Sequence, residues 1–332
     1  MCQEPKCETR SDRNDTLEDG VFDELPNLQR GKVRESYDLP DGRRVMIASD
    51  RVSAFDRVLA AVPLKGQVLT QIARYWFDET QDICPNHVLS YPDPNVVVAK
   101  KLEMLPIEIV VRDYLTGSTG TSIWPMYRDG ARVIYGHSFP DGLRKNDKLP
   151  KTVITPTTKG LAGAHDEPIT AAEIIAQGLL SNALWEEVCA KSFALFARGR
   201  DVAASRGLIL VDTKFEFGLD EAGQLVIADE ILTPDSSRYW RRKSYDARHG
   251  EGAEPDHLDK EFLRLWLSKR VDLTGDVVEV PEIPDGVIAE LSERYVDLFE
   301  TVTGRSFQRP DGREHVRARV QSALTATFPE YF

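Results

Sequence analysis

The sequence predicts an α+β fold of two lobes closed by a C-terminal helical cover. Three observations predict it. Alternating runs with glycine turns crowd the first hundred residues, strands and helices mix through the centre, and from about residue 255 the apolar spacing is helical. The boundaries expected are a flexible polar tail over residues 1–20, a β-rich lobe over 21–112, a central α+β lobe over 113–245 and a helical region over 246–332.

Each element follows from a local pattern. Gln29, Gly31, Val33, Glu35 and Tyr37 alternate with Arg30, Lys32, Arg34 and Ser36, the period of a strand. Asp41-Gly42 marks a hairpin, and Arg44 to Ala48 is its return strand. Val68, Leu69, Ile72, Tyr75 and Trp76 fall at helical spacing within 68–79. Residues 95–99 and 107–111 read as buried strands. Beyond a Pro/Gly-rich stretch at 136–168, Thr170 and Glu173 form a capping box, and a long helix runs from about Asn182 to Ser205, stopped by Gly207. Residues 208–217 and 225–230 are strands joined by a turn at Asp220 to Gly223. Three helices close the chain near 262–267, 287–302 and 314–324.

Composition narrows the function. Forty-two Lys and Arg against 54 Asp and Glu leave a net charge of −12. That excludes a broad nucleic-acid surface, yet admits an anionic small molecule held in a local basic pocket. No apolar run approaches the roughly 20 residues of a membrane span, and the polar N-terminal stretch lacks a signal-peptide core, so the expected setting is the cytoplasm. Cys2, Cys7, Cys84 and Cys189 lack the paired spacing of a zinc site and read as reduced thiols.

The run from Val211 to Gly218 carries the most chemistry. On a strand, Asp212, Lys214 and Glu216 point one way and Val211, Thr213, Phe215 and Phe217 the other. Two readings stand: a solvated hairpin face, or charges gathered for a ligand. The next strand sets Asp229 close to Glu216, within a residue of register. Two carboxylates without His or Cys nearby suit a hard cation such as Mg²⁺, and Lys214 then serves an anion. The loop from Leu232 to Arg238 adds hydroxyls, an acid and a guanidinium, a set that suits phosphate.

Four further runs are weaker alone. Gly31, Lys32 and Arg34 read as a lid over phosphates or as a basic strand edge. Ser49 to Asp56, followed by Pro63 to Gly66, forms a candidate loop site. Arg112 follows a buried apolar strand, as a structural ion pair or as an anion ligand. Lys159 lies near His165 and Asp166, where a lone histidine is more often structural.

Taken in order, GKVRESY, SDRVSAFD, LKGQVLTQIARYWF, VVRDYLTGS, TPTTKG with HDEPI, LILVDTKFEFG and DEILTPDSSRYW resemble the SAICAR synthetase (phosphoribosylaminoimidazole-succinocarboxamide synthase) family, over roughly residues 28–241. The helical tail resembles the longer form of that family. The resemblance implies a two-lobe ATP-binding architecture, with an antiparallel β-rich N-terminal lobe, an ATP-grasp-like central lobe for substrate and metal, and a C-terminal helical extension. It implies a carbon–nitrogen ligase of purine biosynthesis. L-aspartate is joined to 5-amino-1-(5-phosphoribosyl)imidazole-4-carboxylate through an acyl phosphate, giving the succinocarboxamide, ADP and phosphate.

Roles follow as implications of that resemblance. Gly31, Lys32 and Arg34 contact the phosphates of ATP, and the connector at Lys100 to Leu102 holds adenine. Glu216 and Asp229 bind Mg²⁺. Lys214 holds the reacting carboxylate or the transferred phosphate, with Asp212 and Arg112 beside it. Arg112 and Ser118 meet the ribonucleotide or the aspartate, and Ser237 and Arg238 the ribose phosphate. Ser53 and Asp56 line the base, and Lys159, His165 and Asp166 lie near the aspartate site. Where the family commonly places an acid and then isoleucine or valine, this chain has Glu35 and Ser36, with Ser36 read as outward-facing. The partners implied are small molecules, with no nucleic acid or membrane. A monomer is expected, the extra helices covering the surface that shorter relatives use to pair. Two other classes fit parts of the pattern: a small-molecule kinase of the same architecture, similar to inositol phosphate kinases, and a non-catalytic nucleotide-binding protein. A fused carboxylase is disfavoured by the short helical tail.

Overall fold

The computed structural model describes residues 15–54, 57–160, 166–271, 281–310 and 312–332. Strands β1 (Leu28–Arg30), β2 (Arg34–Asp38) and β3 (Arg43–Ala48) form an antiparallel meander: the hairpin at Asp41-Gly42 is as expected, but the 29–37 run read as one strand is two, split by a turn at Gly31 to Val33. Its second turn uses Gly42 at φ 81°, a conformation that favours glycine. A hairpin that the sequence pattern left as loop follows, β4 (Arg51–Ala54) and β5 (Arg57–Ala61), and then helix α1 (Lys65–Glu79). No side chain of its own caps α1. Asp50 caps it from outside, one carboxylate oxygen accepting from the Gly66 amide at 2.8 Å and the other from Leu17 at 2.8 Å. Strands β6 (Val88–Asp93) and β7 (Val96–Lys100) complete a first sheet of order β1-β2-β3-β7-β6.

After the short strand β8 (Glu103–Met104), β9 (Ile107–Tyr114) opens a second sheet. Helix α2 (Ile123–Arg128) and the pair β10 (Val133–Ile134) and β11 (His137–Ser138) pack around Ile123, Tyr127 and Phe139 as a satellite cluster. Strand β12 (Lys148–Thr158) then returns along β9. Pro150 and Pro156 hide this strand in the sequence, but at the sheet edge a proline can sit without breaking a ladder. Helix α3 (Ala171–Ala176) opens on the expected capping box, and α4 (Asn182–Ser205) keeps its expected bounds. Strand β13 (Leu208–Leu219) forms the spine. β9 pairs with its middle, while β14 (Leu225–Ala228) and β8 pair with its far end and β15 (Ser237–Arg241) with its near end.

The tail is helical: α6 (Glu261–Ser268), α7 (Asp285–Thr303) and α8 (Val316–Thr327) match the three expected helices, and α5 (Arg242–Gly250) precedes them as one the sequence pattern did not single out. α7 packs on α1. α8 crosses back to the first sheet, where Val316, Val320, Leu324 and Phe328 join Tyr37, Val45, Ile47 and Val98 in one apolar cluster. Two expected boundaries move. Leu17 is buried in that same cluster, so packing begins ahead of residue 20. Strand β9 pairs with β12 and β13 rather than with the first sheet, so residues 107–112 belong to the central lobe.

Candidate active site

Strand β13 sorts its residues between two environments. Phe215 and Phe217 enter the main core with Ile109 and Val111 of β9 and Leu195 and Phe196 of α4. Asp212, Lys214 and Glu216 take the opposite face, so the solvated-hairpin reading gives way to an interior strand that presents charge to a cleft. Register assembles that face. Asp212 lies opposite Arg112 on one side and Arg238 on the other, Lys214 lies opposite Val110, and Glu108 lies opposite Thr157. Residues opposite each other across a ladder share a face. The cleft encloses about 560 Å³. Arg112, Asp212, Lys214, Ser237 and Arg238 line it from the sheet, and Lys32, Ser53 and Asp166 from the rim.

The charges form two linked groups. Lys214 Nζ donates to Glu108 Oε1 at 2.6 Å and to Glu216 Oε1 at 2.6 Å, and Lys159 pairs with the other Glu216 oxygen. Burial pulls the Lys214 amine down, but Glu216 and Glu108 outweigh it and hold it well above the ordinary lysine value. Burial likewise works to raise Glu216, yet Lys214 and Lys159 keep it well below the carboxylate range. Toward the first lobe, Arg34 pairs with Asp229 and stands 3.9 Å from Glu230. The second group centres on Asp212 Oδ2, which accepts from Arg238 at 2.6 Å and Arg112 at 3.1 Å. Arg112 also donates to Thr155 Oγ1 at 2.8 Å, so it is both an ion-pair partner and a cleft residue. Ser118 Oγ donates to Glu261 Oε1 at 2.7 Å, and Glu261 in turn stands 3.3 Å from Arg238.

Other expectations meet a more mixed outcome. Asp229 is not opposite Glu216: Ala228 is, and Asp229 leaves the strand at φ 61°, which sends its carboxylate to Arg34. Lys100 and Leu102 lie on the connector outside the cleft lining. The Lys100 amide donates to His87 O at 2.8 Å, so it is not the donor that an adenine would meet there. Gly31 closes the β1–β2 turn, its amide donating to Arg34 O at 2.8 Å. Ser36 is half-buried. Asp56 and His165 lie outside the described residues.

Sequence reasoning missed Glu108, Lys260 and Arg264 and gave Asp235 only as the acid of the 232–238 loop; all four line the cleft. Glu108 had a signal: an acid within an apolar strand, at an even spacing from Arg112. Asp235 is held by Lys65 Nζ at 2.8 Å and by the Tyr295 hydroxyl at 2.8 Å. Lys260, Arg264 and Tyr295 gave no signal, because only folding carries them to the loop, and Lys65 had appeared only within the Pro63 to Gly66 run.

The acids of this seam suit a magnesium ion. Glu216 and Asp229 offer hard oxygens, and both are balanced by cationic side chains here. Among the described residues no cluster of three or more His, Cys, Asp or Glu could hold a metal.

Basic side chains set among paired carboxylates where two lobes meet define an enzyme of the two-lobed, nucleotide-using class. The sequence profile of the family described as SAICAR synthetase matches residues 27–281. The putative phosphoribosylaminoimidazole-succinocarboxamide synthase 2 of Agrobacterium fabrum is 53% identical over 313 residues, 94% of this chain and 98% of that one. A structure of the Saccharomyces cerevisiae SAICAR synthase complexed with SAICAR superposes with a TM-score of 0.75 at 29% identity, covering 88% of this chain and 100% of that one. A structure of a SAICAR synthetase in complex with ADP shares the fold, with a TM-score of 0.65 at 23% identity over 85% of this chain and 100% of that one. The chain belongs to the SAICAR synthetase family. It is an ATP-dependent carbon–nitrogen ligase of purine biosynthesis, and the kinase reading is not favoured.

Proposed function

We propose that the cleft joins L-aspartate to the carboxylate of 5-amino-1-(5-phosphoribosyl)imidazole-4-carboxylate, with the roles below. The observation that carries this assignment is Lys214, bridged between Glu108 and Glu216 at the floor of the cleft. A carboxylate resists attack by an amine because oxide would have to leave. Transfer of the γ-phosphoryl group breaks its bond to ADP and forms a bond to a carboxylate oxygen. The aspartate nitrogen then adds to the carbonyl carbon, phosphate leaves with its electron pair, and the nitrogen gives up a proton. Such transfer depends on alignment and charge neutralisation.

Lys214 neutralises the carboxylate as it approaches the triphosphate. Lys32 and Arg34, on the turn made by Gly31, face the phosphates. Arg112 and Ser118 meet the ribonucleotide or the aspartate, and Ser237 and Arg238 hold the ribose phosphate. Asp212 fixes the two guanidiniums beside the sugar. Ser53 meets the base, and Lys159 and Asp166 the aspartate; for Asp56 and His165 these roles rest on the family resemblance alone. Glu216 and Asp229 are the residues that would hold Mg²⁺, which supplies charge neutralisation of the triphosphate when bound.

The test is product formation in a coupled assay with Lys214→Ala and Glu216→Ala. Both are expected to lose activity by about a thousandfold while circular dichroism stays that of the parent. Parental rates in either variant overturn the assignment. ADP release that ignores aspartate would point to a kinase.

We also infer a monomer in the cytoplasm. The monomer rests on α8, which covers one face of the first sheet, and on α7, which packs on α1. The compartment rests on Cys84 and Cys189, both free thiols. Among the described residues no helix is long and apolar enough to cross a membrane. Light scattering that returns a dimer mass would overturn the first inference.

A further inference from the structure

The run Ser49-Asp50-Arg51 lies where β3 bends into β4, and the roles above leave it without a task. Its side chains close on the β1–β2 turn. Arg51 is 8% exposed. Its Nε donates to Lys32 O at 2.9 Å, and its Nη2 to Gly31 O at 3.2 Å and to Glu35 Oε1 at 2.6 Å. Its Nη1 donates to Glu18 O at 2.5 Å. Ser49 takes the remaining carbonyl of the turn: Val33 O accepts from the Ser49 hydroxyl at 2.8 Å and from the Ser49 amide at 3.1 Å. Every main-chain carbonyl from Gly31 to Val33 is thus tied to one short segment of the neighbouring strand.

We infer that Arg51, seated by Glu35 and assisted by Ser49, is the positioning residue of the nucleotide-binding turn, fixing its backbone so that Lys32 stays over the cleft. The inference rests on the proposed role of Lys32 and Arg34 at the triphosphate. Glu35 is fully buried, and its placement has a cost: burial raises its pKa, and Arg51 is the main group opposing that rise. A buried acid is retained here because it orients a guanidinium whose other N–H groups reach the turn. The planar fork matters, since a lysine in its place cannot reach separate carbonyls in a fixed geometry. With its carbonyls held, the turn cannot rotate its peptide planes, and the entropy of ordering it is settled before the nucleotide arrives.

The experiment measures nucleotide affinity by calorimetry with ADP, together with kcat and the KM for ATP and for aspartate, in Arg51→Lys, Glu35→Gln and Lys32→Ala. Arg51→Lys is expected to weaken ADP and raise the KM for ATP by about tenfold or more, with the KM for aspartate within about twofold of the parent. Glu35→Gln keeps the shape of the site, and is expected to shift the same constants in the same direction by about threefold. It is the variant to read if Arg51→Lys does not fold. Lys32→Ala separates the two ideas. If it weakens ADP while the folded Arg51 and Glu35 variants bind like the parent, the positioning inference fails and the role of Lys32 survives. If Lys32→Ala itself binds ADP like the parent, the reading of the turn fails and the inference fails with it. An equal rise in every KM with Arg51→Lys would mark a merely structural residue and also overturn it.

Discussion

Arg112 and Arg238 come from strands β9 and β15 and close on one oxygen of Asp212, at 3.1 and 2.6 Å. Two buried guanidiniums therefore meet at one carboxylate oxygen, with Glu261 a second counter-charge for Arg238 and Thr155 a further hydrogen-bond partner of Arg112. Breaking a buried pair by removing one partner is far costlier than replacing the whole set. Asp212→Asn is expected to destabilise the protein by about 3 kcal/mol in urea titration. An anionic ligand in the cleft should recover part of that loss, because it binds only the folded state. An unchanged midpoint without ligand would show that the shared oxygen does not carry this load.

Lys260 sets a pH dependence. Burial pushes its amine down to about 8, against Asp235 and Glu230, which raise it, and Arg264 and Lys65, which lower it further. An anion entering the cleft favours the charged form and so raises that value. Below pH 8 the amine is protonated before and after binding. Above it, binding must take up a proton, and affinity falls as pH rises. Calorimetry of ribonucleotide binding at pH 8 in buffers of different ionisation heat should show uptake of about half a proton. Lys260→Met should remove it.

Gly66 tests the seam between α1 and β3. A Cβ there would lie 2.3 Å from Ala48 O and 2.4 Å from Asn95 Nδ2. Gly66→Ala is expected to cost at least about 2 kcal/mol, read from the denaturation midpoint. Gly42→Ala, where a Cβ meets nothing within 4 Å, should act only through its φ of 81°.

Val320 tests the cover. It is fully buried between α8 and the first sheet. Val320→Asp places an unpaired charge there, and is expected to give aggregation on expression or a fall in the thermal midpoint of many degrees. A soluble variant with the parental midpoint would remove α8 from the folding core.

Much of this was legible in the sequence because period and register are local. The alternation in β13 names Asp212, Lys214 and Glu216 as one face, the capping box of α3 names its start, and Gly207 names the stop of α4. What escaped was set by distant packing. β12 carries two prolines that only an edge position tolerates. The β15 segment looks like a loop until β13 pairs with it. Lys260, Glu261 and Arg264 read as the polar side of an amphipathic helix until α6 is laid against Arg238 and Ser118. Asp229 was placed within a residue, but its left-handed backbone, which decides whom it meets, leaves no mark in the alternation.

Helix α8 supplies one wall of the sheet built from the first strands of the chain. The Val316 amide donates to Asp15, and Arg317 to the carbonyls of Asp19 and Val21, across some 300 positions. During synthesis the opening strands must therefore wait with an apolar face uncovered until α8 has left the ribosome. Contacts this remote in sequence are slow to close. A chain cut short ahead of α8 would expose that face permanently, a feature by which cellular quality control can recognise it.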